Sequence, residues 1–92
     1  LCAVDISGRA YCSFDLPVPS QKIKDYDTEL TEEFFRAFTN NAGITLHIKK
    51  LSGINSHHIT EAAFKGFGRA LREAVSLDKE FSREIPSTKG VL

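Results

Sequence analysis

The sequence predicts an α+β two-layer sandwich: a small mixed β-sheet with two helices packed on one face. Three observations predict it. Apolar residues alternate with period two over residues 1–16 and again over 44–51. They recur at helical spacing over 28–42 and 55–77. The chain has 92 residues, 41% of them hydrophobic and seven of them Phe, which supplies one small core and one domain.

The elements follow in order. In residues 1–7, Cys2, Val4 and Ile6 alternate with Ala3 and Asp5, as in a strand. Gly8 allows a tight turn through Ser7-Gly8-Arg9, and residues 10–16 return as a second strand, so the two are expected to pair as a hairpin. Pro17 and Pro19 end it, because neither can donate to a ladder. Residues 22–26 form a third short strand. The first helix spans 28–42, capped by Asp27 or Thr28, with Glu29, Glu32 and Glu33 where the helix dipole favours anions. Leu30, Phe34, Phe35, Ala37 and Phe38 are its expected buried stripe, and Gly43 its left-handed C-cap. In the strand 44–51, Ile44, Leu46 and Ile48 share one face; Thr45, His47 and Lys49 share the other. After the turn at Ser52-Gly53, Asn55 or Ser56 caps a second helix running to about Leu77. The charged stretch 79–84 reads as loop.

Composition excludes several function classes. Twelve Lys plus Arg balance twelve Asp plus Glu, so the chain carries neither a basic nucleic-acid footprint nor a polybasic membrane patch. A bound anion has to be captured by a few placed cations. No apolar run approaches a membrane span, and the first residues lack the basic segment and cleavage signature of a signal peptide. The chain begins without Met and directly in a strand pattern, which reads as a piece of a longer protein. Cys2 and Cys12 lack metal spacing and read as reduced, buried thiols of a cytoplasmic protein.

The chemistry concentrates on residues 55–72, N-S-H-H-I-T-E-A-A-F-K-G-F-G-R-A-L-R. With His57 at zero, helical geometry puts Glu61 at about 40°, Arg72 at about 60° and Lys65 at about 80°. Ile59, Ala63, Phe67, Ala70, Leu71 and Ala74 centre on the far side, at about 260°. One face packs and the other is free for ligands. Imidazole and carboxylate suit zinc, manganese or iron, and His57 and Glu61 lie four apart on one face. His58 points about 100° away from His57, so two ligating histidines there serve two metals. The order is not the His-Glu-x-x-His of zinc proteases. By itself this motif is weak, since histidines at a helix start are commonly just solvated. One helix cannot complete a coordination sphere, so remaining donors come from a partner. Arg9, Lys65, Ser87 and Lys89 form a second candidate set suited to a phosphate. Lys65 stands out because it shares a face with His57 and Glu61.

Six segments in order, D-I-S-G-R (5–9), T-E-L-T-E-E-F-F-R-A-F (28–38), N-A-G-I-T-L-H (41–47), H-H-I-T-E (57–61), F-K (64–65) and P-S-T-K-G-V-L (86–92), resemble the second half of the imidazoleglycerol-phosphate dehydratase family. The resemblance covers essentially all of residues 1–92, as a single half-unit of a duplicated fold. It implies a carbon–oxygen lyase of histidine biosynthesis that removes water from imidazole glycerol phosphate to give imidazole acetol phosphate. It implies two manganese ions per site, held between subunits, that engage the substrate's imidazole ring and activate the neighbouring carbon. It implies metal ligation by His57, His58 and Glu61, and phosphate binding by Arg9, Lys65, Ser87 and Lys89. It also implies trimers assembled into a large octahedral homo-oligomer, and places the general base in the other half. Glu33 stands where many family members have a metal-binding His, and a carboxylate there can ligate manganese or act simply as a helix N-terminal acid. His47 belongs to the motif and is a weaker candidate ligand. The alternative reading is a non-catalytic half-domain that uses the same ligands only to oligomerise; chelation would dissolve it and substrate would not affect it.

Overall fold

The computed structural model describes residues 1–84, with side-chain placement to residue 76. Five strands and two helices follow one another: β1 (Cys2–Asp5), β2 (Tyr11–Asp15), β3 (Lys22–Ile23), β4 (Tyr26–Asp27), α1 (Glu29–Ala42), β5 (Thr45–Lys49) and α2 (Ser56–Glu84). The main sheet has the order β1-β5-β2, with β1 antiparallel and β2 parallel to β5. The sheet is mixed and both helices lie on one face, as the sequence predicts.

The expected hairpin does not form: β5 lies between β1 and β2. The strand with the most apolar inward face, with Leu46 and Ile48 at 0% and 2% exposure and Ile44 just before it at 3%, takes the centre, where both its edges are paired. The five-residue link 6–10 spans two strand spacings, about 10 Å, rather than folding back as a tight hairpin. It is tied around the start of β5: the Thr45 hydroxyl meets Ser7 Oγ at 3.1 Å and donates to the Arg9 carbonyl at 3.1 Å, and the Tyr11 amide donates to Ile44 at 3.1 Å. Gly8 turns the link at φ 78°.

The third strand resolves into two, β3 and β4, paired with each other around Lys24 at φ 56°. In α1, Gly43 caps at φ 65° and its amide donates to the Thr39 carbonyl. Asp27 Oδ1 accepts from the Glu29 amide at 3.0 Å, while the Thr28 side chain turns away to the Ser20 and Gln21 carbonyls. The buried face of α1 is rotated from the expected stripe. Thr31, Phe35 and Thr39 are buried, whereas Leu30 and Phe34 are 48% and 44% exposed and Ala37 is exposed. Buried hydroxyls are tolerated there because each is bonded: Thr39 donates to the Phe35 carbonyl at 2.6 Å, and Thr31 meets the Tyr26 hydroxyl at 2.6 Å.

Phe35 centres the core, its ring 5.0 Å from Phe64, 5.1 Å from Phe67 and 6.1 Å from Phe14. Ile59, Ala63 and Phe67 of α2 are buried as predicted. α2 presses on β1 closely enough that a Cβ at Gly66 would lie 3.1 Å from Cys2 Sγ. Cys2 and Cys12 are free and half-buried, and burial pushes the Cys2 thiol pKa up. The backbone of α2 continues through the stretch read as loop, to Glu84. Residues 69–84 contain neither Gly nor Pro, and charge alone does not stop a helix. No helix among the described residues is long and apolar enough to cross a membrane.

Candidate functional site

The site is built on the first turns of α2. Asn55 Oδ1 accepts from the His58 amide at 2.9 Å, which starts the helix and fixes the backbone that carries both histidines. Ser56 is buried and accepts from the Ser20 amide at 3.0 Å, pinning the same turn to the segment after β2. With Ile59, Ala63 and Phe67 turned into the core, helical geometry sends His57, Glu61 and Lys65 outward.

There they form one row. His57 Nε2 lies 3.1 Å from Glu61 Oε2, and Lys65 Nζ lies 2.7 Å from Glu61 Oε1. The side chains are 63%, 45% and 67% exposed, so the row faces solvent. The hydrogen bond and charge of Lys65, with a smaller contribution from His57, hold the Glu61 carboxyl below its ordinary pKa, so it is an anion at neutral pH. The His58 ring sits 6.0 Å from that of His57 and is turned 63° from its plane.

The donor set fits a divalent first-row metal. Two bonds of about 2.1 Å meeting at a right angle hold their donors about 3.0 Å apart, close to the separation found here between imidazole and carboxylate. One ion can thus take His57 and Glu61 without moving either far, while His58 is directed elsewhere. Among the described residues, no three His, Cys, Asp or Glu side chains converge. Among the described residues of one copy, His57 and Glu61 alone would leave a metal short of ligands.

No hydrogen bond or ion pair joins the other predicted residues to this row among the described residues. His47 is exposed on the sheet face opposite the helices, its ring 5.7 Å from Tyr11, so the sheet separates it from α2. Glu33 is exposed on α1. Arg9 is exposed in the link beside Thr45, the first residue of β5, whereas α2 begins beyond Lys49 at the other end of that strand. No hydrogen bond or ion pair joins Arg9 to Lys65 among the described residues. Ser87 and Lys89 lie outside the described residues. The sequence alone does not place Tyr11 beside His47, where the two rings are tilted 51° from each other. Alternation marks both as outward positions, but the parallel pairing of β2 with β5 that brings them together is not legible in it.

A family model described as imidazoleglycerol-phosphate dehydratase matches residues 1–71. The chain belongs to the imidazoleglycerol-phosphate dehydratase family. It is 59% identical over 90 residues to the imidazoleglycerol-phosphate dehydratase of Synechococcus sp. (strain RCC307), covering 98% of this chain and 44% of that protein. It is 59% identical over 92 residues to that of Desulforamulus reducens, covering 100% of this chain and 46% of that protein. The chain therefore spans less than half the length of these curated relatives. The fold is likewise that of the family. The crystal structure of imidazoleglycerol-phosphate dehydratase from Staphylococcus aureus superposes with a TM-score of 0.75 at 53% identity, over 76% of this chain and 41% of that one. The enzyme from Pyrococcus furiosus, in complex with (S)-C348, gives 0.70 at 44% identity, over 77% and 40%.

Proposed function

We propose that this chain is the metal- and phosphate-binding half of a cytoplasmic dehydratase acting on imidazole glycerol phosphate in histidine biosynthesis. The observation that carries this reading is the outward row His57–Glu61–Lys65, which joins a metal-type donor pair to a phosphate-type cation on one helical face.

His57 and Glu61 would hold one manganese and His58 a second, with Glu33 and His47 as candidate ligands offered to neighbouring copies. When bound, the metal supplies Lewis-acid polarisation at the imidazole end of the substrate. The protein's own residues do the rest. Lys65 lies one turn along α2 from Glu61, a rise of about 6 Å, on the scale of the three-carbon chain that separates the substrate's ring from its phosphate. It would hold the phosphate with Arg9, Ser87 and Lys89, each a charged or hydroxyl donor to the ester oxygens. Anchoring both ends aligns the bonds that break during loss of water. The shortage of donors among the described residues of one copy supports completion of the site by further copies or by the remaining half of the enzyme, in a homo-oligomer built from trimers.

The test is turnover by the intact protein. Manganese-loaded protein is expected to convert imidazole glycerol phosphate to imidazole acetol phosphate, and Glu61→Gln to lower kcat/KM at least about 100-fold. Undiminished turnover by Glu61→Gln, or by fully chelated protein, would overturn the reading.

A further inference from the structure

Glu61 has one carboxylate and two partners. Oε1 lies 2.7 Å from Lys65 Nζ, and Oε2 lies 3.1 Å from His57 Nε2. On the reading just given, on which this inference rests, each partner also serves a ligand, His57 the metal and Lys65 the phosphate. A metal at His57 and Glu61 draws off the negative charge that Lys65 faces. A phosphate at Lys65 draws off the positive charge that Glu61 faces. The contact between the two therefore opposes both ligands, and each ligand opens it for the other.

We propose that the Glu61–Lys65 ion pair is a latch that couples metal binding to phosphate binding. Loading the metal releases Lys65 toward the phosphate ester, and capturing the phosphate releases Glu61 toward the metal. The coupling is positive and of equal size in both directions, as linkage requires. No bond is made or broken and no third component is consumed. The latch is weak because both side chains are wet, Lys65 at 67% and Glu61 at 45% exposure. Exposed pairs of this kind correspond to a change of about two- to five-fold in a binding constant. A latch of that strength favours substrate at metal-loaded sites without trapping either ligand.

The experiment measures manganese binding to the intact protein by the paramagnetic resonance of free Mn²⁺, with and without saturating glycerol phosphate. That ester carries the phosphate and no imidazole, and its own complex with Mn²⁺ in solution is subtracted by the same titration without protein. Glycerol phosphate is expected to tighten manganese binding about two- to five-fold in the unaltered protein. Lys65→Ala is expected to tighten it by a similar factor with no ester present, because the competitor for Glu61 is gone. Arg69→Ala removes a cation one turn further along the same helix, and should leave manganese affinity unchanged. Manganese binding that Lys65→Ala leaves equal or weakens, or that glycerol phosphate does not alter in the unaltered protein, overturns the latch while leaving the metal site standing. Manganese binding indifferent to His57→Ala and Glu61→Gln overturns the metal reading and the latch with it.

Discussion

Gly66 and Gly68, both on α2, give opposite expectations. Replacing Gly by Ala inside a helix gains about 1 kcal/mol from backbone entropy and propensity. At Gly68 a new Cβ meets nothing within 4 Å, so Gly68→Ala should realise that gain. At Gly66 the new Cβ lands 3.1 Å from Cys2 Sγ and 3.7 Å from its Cβ, where β1 runs against the helix. Cys2 has limited room to retreat, since its Sγ also lies 3.6 Å from the Ala63 carbonyl and its backbone is paired to Ile48. Overpacking costs about 1–3 kcal/mol, so Gly66→Ala should destabilise by about 1 kcal/mol net. For a chain of this size the two substitutions shift Tm by about 4–8 °C in opposite directions. Thermal unfolding at one fixed protein concentration reads both, because assembly also contributes to apparent stability. In a Cys2→Ala background the obstacle is gone, and Gly66→Ala should become stabilising. A Gly66→Ala protein that gains as much as Gly68→Ala with Cys2 in place would refute the close seating of α2 on β1.

Three further outcomes are expected. Asn55→Ala should cost about 1 kcal/mol by removing the acceptor for the His58 amide, and should weaken manganese binding as that turn frays; unfolding and metal titration check the two parts. Phe35→Ala should cost about 3–5 kcal/mol, because a fully buried ring packed against Phe14, Phe64 and Phe67 is lost; calorimetry of the variant checks it. The Glu61 carboxyl should titrate below the ordinary carboxylate value and move back up in Lys65→Ala, read by carbon-detected NMR of the side chain. Its pKa is lowered in the folded chain, so its share of stability is present above the ordinary value. That share fades as pH falls through the lowered one.

Much of the fold was legible because periodicity reports which way a side chain faces. The alternation of Ile44, Leu46 and Ile48 marked the central strand's buried face, and the spacing of Ile59, Ala63 and Phe67 marked that of α2. Periodicity does not report which strand lies beside which. Gly8 suited a tight hairpin turn equally well as the longer link that carries the chain across the end of β5. The rotated face of α1 was hidden for a different reason. Thr31 and Thr39 look polar in the sequence, and only the partners of their hydroxyls, the Tyr26 side chain and the Phe35 carbonyl, make them good core residues. The row His57–Glu61–Lys65 was legible because contacts four apart on a helix need no knowledge of the rest of the fold. The separation of His47 and Arg9 from that row was not, since it depends on strand order and on which face the helices cover.

On the proposed function, α2 carries part of a metal centre that other chain segments complete. Metal analysis of the protein separated by size tests it most directly. Manganese should travel with the assembled species, be absent from single copies, and be lost from the assembly in His57→Ala. Tight manganese binding by a single copy, or an assembly that keeps its full metal content without His57, would contradict it.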